Sequence, residues 1–222
     1  MMRITRNFMS AMLFGSNRTT STRSRMMDRL QSTNLTSYNS LLGTRALNQA
    51  SSTQIIYQNM KNNAGELQNS ASKLLNTGEN SIYSQAKESG NTAEVTEQIQ
   101  DFVTYYNGMV RSLKSGSSRV DSSYLNMLNS YSSMYQSALK TTGVTKQTDG
   151  TLSVDTKALQ KTNLEQLQKV WGGNNSFAAK TGVTSVYVNS NAVSNLNSLL
   201  SNSYSSLFSN YGSSGNFFNY WL

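Results

Sequence analysis

The sequence predicts a mainly α-helical protein: a helical bundle with a small β-hairpin, flanked by helical, coiled-coil-like terminal arms. Apolar residues recur at steps of three and four along most of the chain, which is the spacing of amphipathic helices. Proline is absent from all 222 residues, so long helices can run uninterrupted. A strong turn signal, Asp149-Gly150, separates two short alternating runs and predicts the hairpin.

The basic character of the chain belongs to its first part. Residues 1–45 carry seven arginines and a single acid, a net charge of +6 out of +8 for the whole chain. Apolar residues at helical spacing run from Met26 to Leu42. A basic helix of this kind either attracts an acidic partner or simply presents a soluble face.

We predict that residues 1–78 form an N-terminal basic arm of two helices. The second helix carries apolar residues from Ile56 to Leu75 and is expected to end near Gly78, since glycine is typical of helix C-caps. Residues 79–93 contain few apolar groups and are predicted to be a connector, with a short helical turn around Ile82.

Residues 94–188 are predicted to be the core, which begins with two antiparallel helices. The first is capped by Asn91, and the second begins near Asp121 and runs to Gly143. The first has its apolar stripe at Val95, Ile99, Phe102, Tyr106, Met109, Val110 and Leu113, and the second at Tyr124, Leu125, Leu128, Tyr131, Tyr135, Ala138 and Leu139. Two helices joined by a short turn bury such stripes against each other.

The predicted hairpin, near residues 144–154, leads into a third helix. Asp155 is placed to cap this helix, and Gly172 follows its last turn. Thr162 stands three residues before a glutamate, the spacing of a capping box, so the helix is expected to break and restart there. The run at 182–188 alternates and predicts a short strand.

Residues 189–222 are predicted to be a C-terminal amphipathic helix, capped by Asn191, with an aromatic tail. Lys180 is the last charged residue of the chain, and exposed serine and asparagine are weak helix formers. Such a helix needs a partner: the N-terminal arm, another subunit, or both. The predicted subunit or partner interface is the stripe Val193, Leu196, Leu200, Tyr204, Leu207 and Tyr211.

The composition argues against an enzyme. The chain has no histidine and no cysteine, so it lacks the usual general base at neutral pH and every Ser–His or Cys–His arrangement. The closest acidic cluster, Glu94, Glu97 and Asp101, lies near the start of a predicted helix, where negative charge stabilises the helix dipole. We therefore predict no catalytic residues, no cofactor and no metal site.

Three pieces of sequence follow one another in the order and spacing of a known family: DFVTYYNGMV at 101–110, GVTKQTDGTLSVDTKALQ at 143–160 and VWGGNNSFAAKTGV at 170–183. In these pieces the chain resembles the C-terminal half of the flagellar filament cap protein family, also called flagellar hook-associated protein 2, in a reduced form. The family motif corresponds to Phe102, Tyr106, Asn107, Gly143, Asp149, Gly150, Leu152 and Asp155. The chain departs from the family in two ways. Its N-terminal part is expected to be too short for the family's head domain, and its tail helix is expected to be short.

The resemblance implies a structural component of the bacterial flagellum that acts through contacts between subunits and with flagellin. It implies a homo-oligomer, flagellin or other flagellar axial proteins as partners, and no small-molecule substrate. It also implies an extracellular location on the flagellum, reached by secretion without a cleaved signal peptide. A working cap and an accessory paralogue both remain open as alternatives.

The alternative function is a basic-arm binding module for nucleic acid or an anionic membrane surface. The arginines of residues 1–45 support it, but the few aromatic residues there lack the spacing of a base-stacking platform. Nucleic acid is therefore the less favoured partner. Salt separates the two functions, because binding through arginines to DNA or anionic vesicles weakens steeply as salt rises.

Overall fold

The structure is a computed structural model in which residues 51–212 are described, with side chains as far as residue 202. The described chain from Ser52 onwards belongs to one compact unit. The predicted helix between Met26 and Leu42 and the aromatic tail at 217–222 lie outside the described residues.

Within the described residues the chain is mainly helical, with eight helices and one small antiparallel sheet, which confirms the predicted fold class. In chain order the elements are α1 (51–75), α2 (Ile82–Ser89), α3 (Ala93–Ser115), α4 (Arg119–Met134), α5 (Gln136–Thr141), β1 (Val144–Lys146), β2 (Leu152–Val154), α6 (Thr156–Lys161), α7 (Leu164–Trp171) and α8 (Phe177–Gly212). The hairpin pairs Thr145 with Ser153 at its centre.

The long helices α1, α3, α4 and α8 form an antiparallel bundle. The Gln98 amide of α3 donates to the Ser70 hydroxyl of α1 at 2.6 Å. At the other end, Asp121 at the start of α4 accepts from the Tyr57 hydroxyl of α1 at 3.3 Å and from the Asn191 amide of α8 at 3.1 Å. The start of α1, the start of α4 and the middle of α8 therefore meet at one end of the bundle.

The core is centred on aromatic rings from α3, α7 and α8. The ring centroid of Phe102 lies 5.4 Å from that of Trp171 and 5.9 Å from that of Phe177, both edge-to-face. Tyr106 lies 5.4 Å from Phe177. All four side chains are fully buried. Edge-to-face pairs of this kind add to the free energy that the rings gain from burial.

The first and last described helices belong to this same core rather than to separate arms. Helix α1 buries Met60, Leu67 and Leu74, and α8 buries Ala178, Val188 and Ala192, in one continuous cluster with the aromatic rings. The predicted boundaries at residues 78 and 188 therefore do not coincide with a change in packing. Helix α2 occupies most of the predicted connector and buries Ile82 and Tyr83.

The predicted strand at 182–188 is wrong, because these residues lie within α8, which starts at Phe177 and runs for 36 residues. The tail helix is accordingly long, and Asn191 lies inside it rather than at its cap. A Cβ atom on Gly182 would come within 2.9 Å of Ala71 on α1. The absence of a side chain there lets the two helices approach closely, and the packing of a whole helical face outweighs the short alternating pattern.

Several predicted helix ends shift by a few residues. The N-cap of α4 is Ser118, whose hydroxyl accepts from the backbone N–H of Asp121 in a capping box, so Asp121 is the third helical residue rather than the cap. The break between α6 and α7 is where it was predicted, but Asn163 caps the new helix. Asp155 caps α6 and Gly172 ends α7, as predicted.

Replacing Phe102 with alanine should lower the free energy of unfolding by about 3–5 kcal/mol, because the change leaves a cavity among fully buried rings. Urea or guanidinium melts of the purified chain measure this difference. Ile55→Ala is the matched control, since that side chain is exposed on α1 and its loss should cost less than about 0.5 kcal/mol. Equal losses for the two variants would contradict a core built on Phe102.

Candidate functional site

Several residues of the predicted motif fix the hairpin onto α3. The Asn107 side chain donates to the backbone carbonyl of Leu152 at 2.8 Å and accepts from its backbone N–H at 2.7 Å. Asn107 therefore pairs with the outer edge of β2 as another strand would. The motif residue Leu152 is buried on the inner side of the hairpin.

Tyr106 holds the turn of the hairpin to α4. Its hydroxyl donates to the backbone carbonyls of Gly150 at 3.3 Å and Leu128 at 3.4 Å. Burial raises the pKa of Tyr106 to about 12, because the charged phenolate is poorly solvated inside the protein. The group is thus a neutral hydrogen-bond donor at physiological pH and serves to position the hairpin.

The turn itself is stabilised by Asp149. Its carboxylate accepts from the hydroxyl of Thr151 at 2.5 Å and from the backbone N–H of Thr151 at 3.0 Å. These two bonds lower the pKa of the Asp149 carboxyl, and Lys114 lies 3.9 Å away on α3. Gly143 and Gly150, with φ of +77° and +80°, adopt the left-handed conformation that glycine tolerates best.

All eight motif residues therefore have internal structural roles. Phe102 and Tyr106 build the aromatic core, Asn107 and Leu152 attach β2, the turn residues shape the hairpin, and Asp155 caps α6.

Asp121 is a polar junction that the sequence did not reveal as such. It is fully buried, and besides the bonds from Tyr57 and Asn191 it accepts from the backbone N–H of Ser118 at 3.3 Å. These contacts join α1, α4 and α8 at one end of the bundle. Local sequence patterns do not show that residues so far apart in the chain are in contact. The sequence therefore predicted only a capping role for Asp121.

The predicted interface on the last helix divides into two faces. Leu196 packs against the protein's own core, whereas Leu200 is 47% exposed and Val193 is half-buried. Tyr204, Leu207 and Tyr211 are helical, but their side chains lie beyond the described ones. The predicted stripe therefore mixes residues that hold α8 to the bundle with residues that face outwards.

The outward residues of α8 recur at steps of three and four. They begin at Val183, ten residues before the start of the predicted stripe. We call this set the outer seam of α8, and it consists of Val183, Val186, Ser190, Val193, Asn197 and Leu200. In the sequence, residues 204, 207 and 211 follow at the same spacing. Val183 and Val186 are exposed. They border a narrow groove of about 190 Å³ whose opposite wall is formed by Gln68, Ser72 and Leu75 of α1. Alternating steps of three and four are the spacing by which one helix packs along another.

The described surface contains several open clefts. An open cleft of about 440 Å³ lies between α5 and α7 and is lined mainly by apolar atoms and by residues such as Tyr135, Gln166 and Val170, with Lys169 beside them. No group of three acidic residues in the described chain could hold a metal ion. Among the same residues, no helix is long and apolar enough to cross a membrane.

Gly150→Ala should lower the free energy of unfolding by about 1–3 kcal/mol. Alanine is strained at a φ of +80°, and its Cβ atom would lie 2.3 Å from the Asn129 amide oxygen. Gly173→Ala is the control, because a Cβ atom there meets no atom within 4 Å. Denaturant melts that show the two variants to be equally stable would contradict this account of the turn.

Alkaline pH should destabilise the protein through Tyr106. The pKa is about 12 when folded and about 10 in an unfolded chain. The unfolded state therefore ionises first, so the stability present below about pH 10 is lost as the pH rises towards 12. Unfolding free energies measured between pH 8 and 11 should fall less steeply for Tyr106→Phe than for the unchanged chain. If the slope of this variant equals that of the unchanged chain, Tyr106 does not contribute to the loss of stability at alkaline pH.

Comparison with known proteins identifies no relative: no protein-family model, no curated protein and no solved structure matches this chain.

Proposed function

We propose that this chain is a structural subunit of the bacterial flagellum, resembling the filament cap, and that it acts by binding other copies of itself and flagellin. The observation that carries the proposal is the outer seam of α8. It presents Val183, Val186 and Leu200 to solvent along one side of a 36-residue helix. Exposed apolar residues in such a row are typical of surfaces that pack against other proteins.

The chemistry of the outer seam favours a helical partner. Alternating steps of three and four fit the knobs-into-holes packing of a coiled coil, and a polar residue such as Asn197 at one seam position selects the register at some cost in stability. No charged residue follows Lys180. Association through this surface therefore depends on apolar burial and should be nearly insensitive to salt.

The order of the motif pieces supports the flagellar part of the proposal. The residues that resemble the cap family, from Phe102 to Asp155, all hold the hairpin and the bundle together. A scaffold of this kind needs no catalytic group, and the chain has neither histidine nor cysteine. The function of such a scaffold depends on the surfaces through which it binds its partners.

A substitution in the outer seam tests the proposal. Leu200→Glu places a charge on an exposed seam position, and it should weaken self-association and binding to flagellin of the same bacterium by about tenfold or more. Ser198→Glu is the matched control, because it adds the same charge to an exposed position of the same helix away from the seam. Sedimentation of the purified chain, alone and with flagellin, measures both effects.

Salt distinguishes the proposal from a basic-arm binding module. Oligomers and flagellin complexes that persist at high salt, and that are weakened by Leu200→Glu but not by Ser198→Glu, support the flagellar subunit. A chain that stays monomeric, ignores flagellin and binds DNA or anionic vesicles with a steep dependence on salt would replace it with the basic-arm function.

A further inference from the structure

Helix α2 buries a hydroxyl group to which no other group of the described chain is bonded. Tyr83 is 2% exposed, and its hydroxyl oxygen is buried without a hydrogen-bond partner among the described residues. Burial raises the pKa of Tyr83 above its ordinary value, so the group is a neutral phenol at physiological pH. Buried polar groups without a partner are uncommon in native proteins, and each one destabilises the folded arrangement that buries it.

The other two buried tyrosines of the described chain are bonded. The Tyr57 hydroxyl donates to the Asp121 carboxylate at 3.3 Å, and the Tyr106 hydroxyl donates to the backbone carbonyl of Gly150 at 3.3 Å. For these two residues, packing exchanges hydrogen bonds with water for hydrogen bonds within the protein. The Tyr83 hydroxyl regains its hydrogen bonds only when α2 leaves the bundle and water reaches the phenol.

Tyr83 belongs to the contact that holds α2 in place. Helix α2 packs on α3 and α7, and it buries only Ile82, Tyr83 and Ala86. A Cβ atom on Gly172, at the end of α7, would come within 3.2 Å of the Tyr83 ring atom Cε2. The unbonded hydroxyl therefore weakens the attachment of α2 rather than the centre of the bundle.

The side-chain hydrogen bonds of α2 are local. The Ser84 hydroxyl donates to the backbone carbonyl of Gly78 at 2.8 Å, and the Ser81 hydroxyl caps the helix by accepting from the backbone N–H of Ser84 at 3.2 Å. The remaining ones also lie within residues 78–91. Helix α1, by contrast, is hydrogen-bonded to α3, α4 and α8. Helix α2 can thus separate with its cap intact and without breaking a side-chain hydrogen bond to another described helix.

We propose that α2 is a detachable strap, a helix that leaves the bundle while the other helices stay folded, and that the unbonded Tyr83 hydroxyl favours the detached state. Residues 76–81 and 90–92, on either side of it, are not helical and keep the strap connected at both ends. Detachment exposes the apolar sides of α3 and α7 that the strap covers. Local openings of this kind require less free energy than global unfolding. The strap does not depend on the proposed flagellar function.

Thiol labelling tests the strap, because the chain has no cysteine. Ala86→Cys places a thiol on the buried side of α2, and Ala64→Cys places one on the buried side of α1. If α2 detaches by itself, a thiol reagent should label Ala86→Cys at least about tenfold faster than Ala64→Cys. Low concentrations of urea should change the first rate little and raise the second steeply, since global unfolding exposes more surface.

Removing the hydroxyl tests its role in the opening. Tyr83→Phe, added to Ala86→Cys, should slow the labelling about fivefold, because the attached strap then buries no unbonded hydroxyl. Tyr57→Phe is the matched control, since it removes a hydroxyl that is bonded to Asp121, and it should not slow the labelling. Circular dichroism shows whether each variant is folded. Hydrogen exchange at the amides of α2 measures the same opening without cysteine, and Tyr83→Phe should slow it by a similar factor.

Two results would overturn the proposal. Equal labelling rates for Ala86→Cys and Ala64→Cys would mean that α2 opens only when the whole chain unfolds. Labelling and exchange that are unchanged or faster with Tyr83→Phe would mean that the hydroxyl does not favour detachment. All these variants leave the outer seam of α8 unaltered, so the outcome is independent of the tests of the flagellar function.

Discussion

The packing of Phe102 against Trp171 and Phe177 is the interaction on which the rest of the structure depends. It joins α3 to α7 and α8, which are distant in sequence. Only 36% of the residues are hydrophobic, so a few large rings must supply much of the apolar burial that opposes chain entropy. The Trp171 indole N–H also donates to the Thr142 hydroxyl at 3.2 Å, which places the ring beside the end of α5.

Buried and half-buried polar side chains set the alignment of the elements around this core. Asn107 attaches β2, Tyr106 attaches the turn, and Asp121 gathers three helices at one end of the bundle. Each of these groups would be costly to bury without a partner, so a displaced helix or hairpin would lose several hydrogen bonds together. The apolar cluster thus supplies most of the stability, and the polar contacts select one arrangement.

The outer seam of α8 relies on apolar contact rather than on charge. It places apolar side chains at steps of three and four among serine and asparagine, and no charged residue follows Lys180. Specificity on such faces comes from the spacing and shape of side chains rather than from pairs of charges. Most of the chain's positive charge lies instead in residues 1–45, so electrostatic attraction and helix packing belong to different parts of the protein.

The sequence by itself determined the features that depend on near neighbours. The helical stripe of α3, the Asp149-Gly150 turn and the cap at Asp155 follow from local spacing and backbone preference, and the structure contains all of them. The second predicted helix, expected to run to Gly143, is instead divided at Tyr135 into α4 and α5. The turn and the residues that support it lie in three short pieces of sequence, so local patterns reach them.

Only the tertiary structure decided which side of each helix packs against the bundle and where the last helix begins. Residues 182–188 alternate like a strand, yet they are helical, and Gly182 packs closely on Ala71 of α1. Leu196 turns inwards while Leu200 turns outwards, although both fit the same stripe. Spacing along one helix shows that a face is apolar, but only the neighbouring helices determine whether that face is covered.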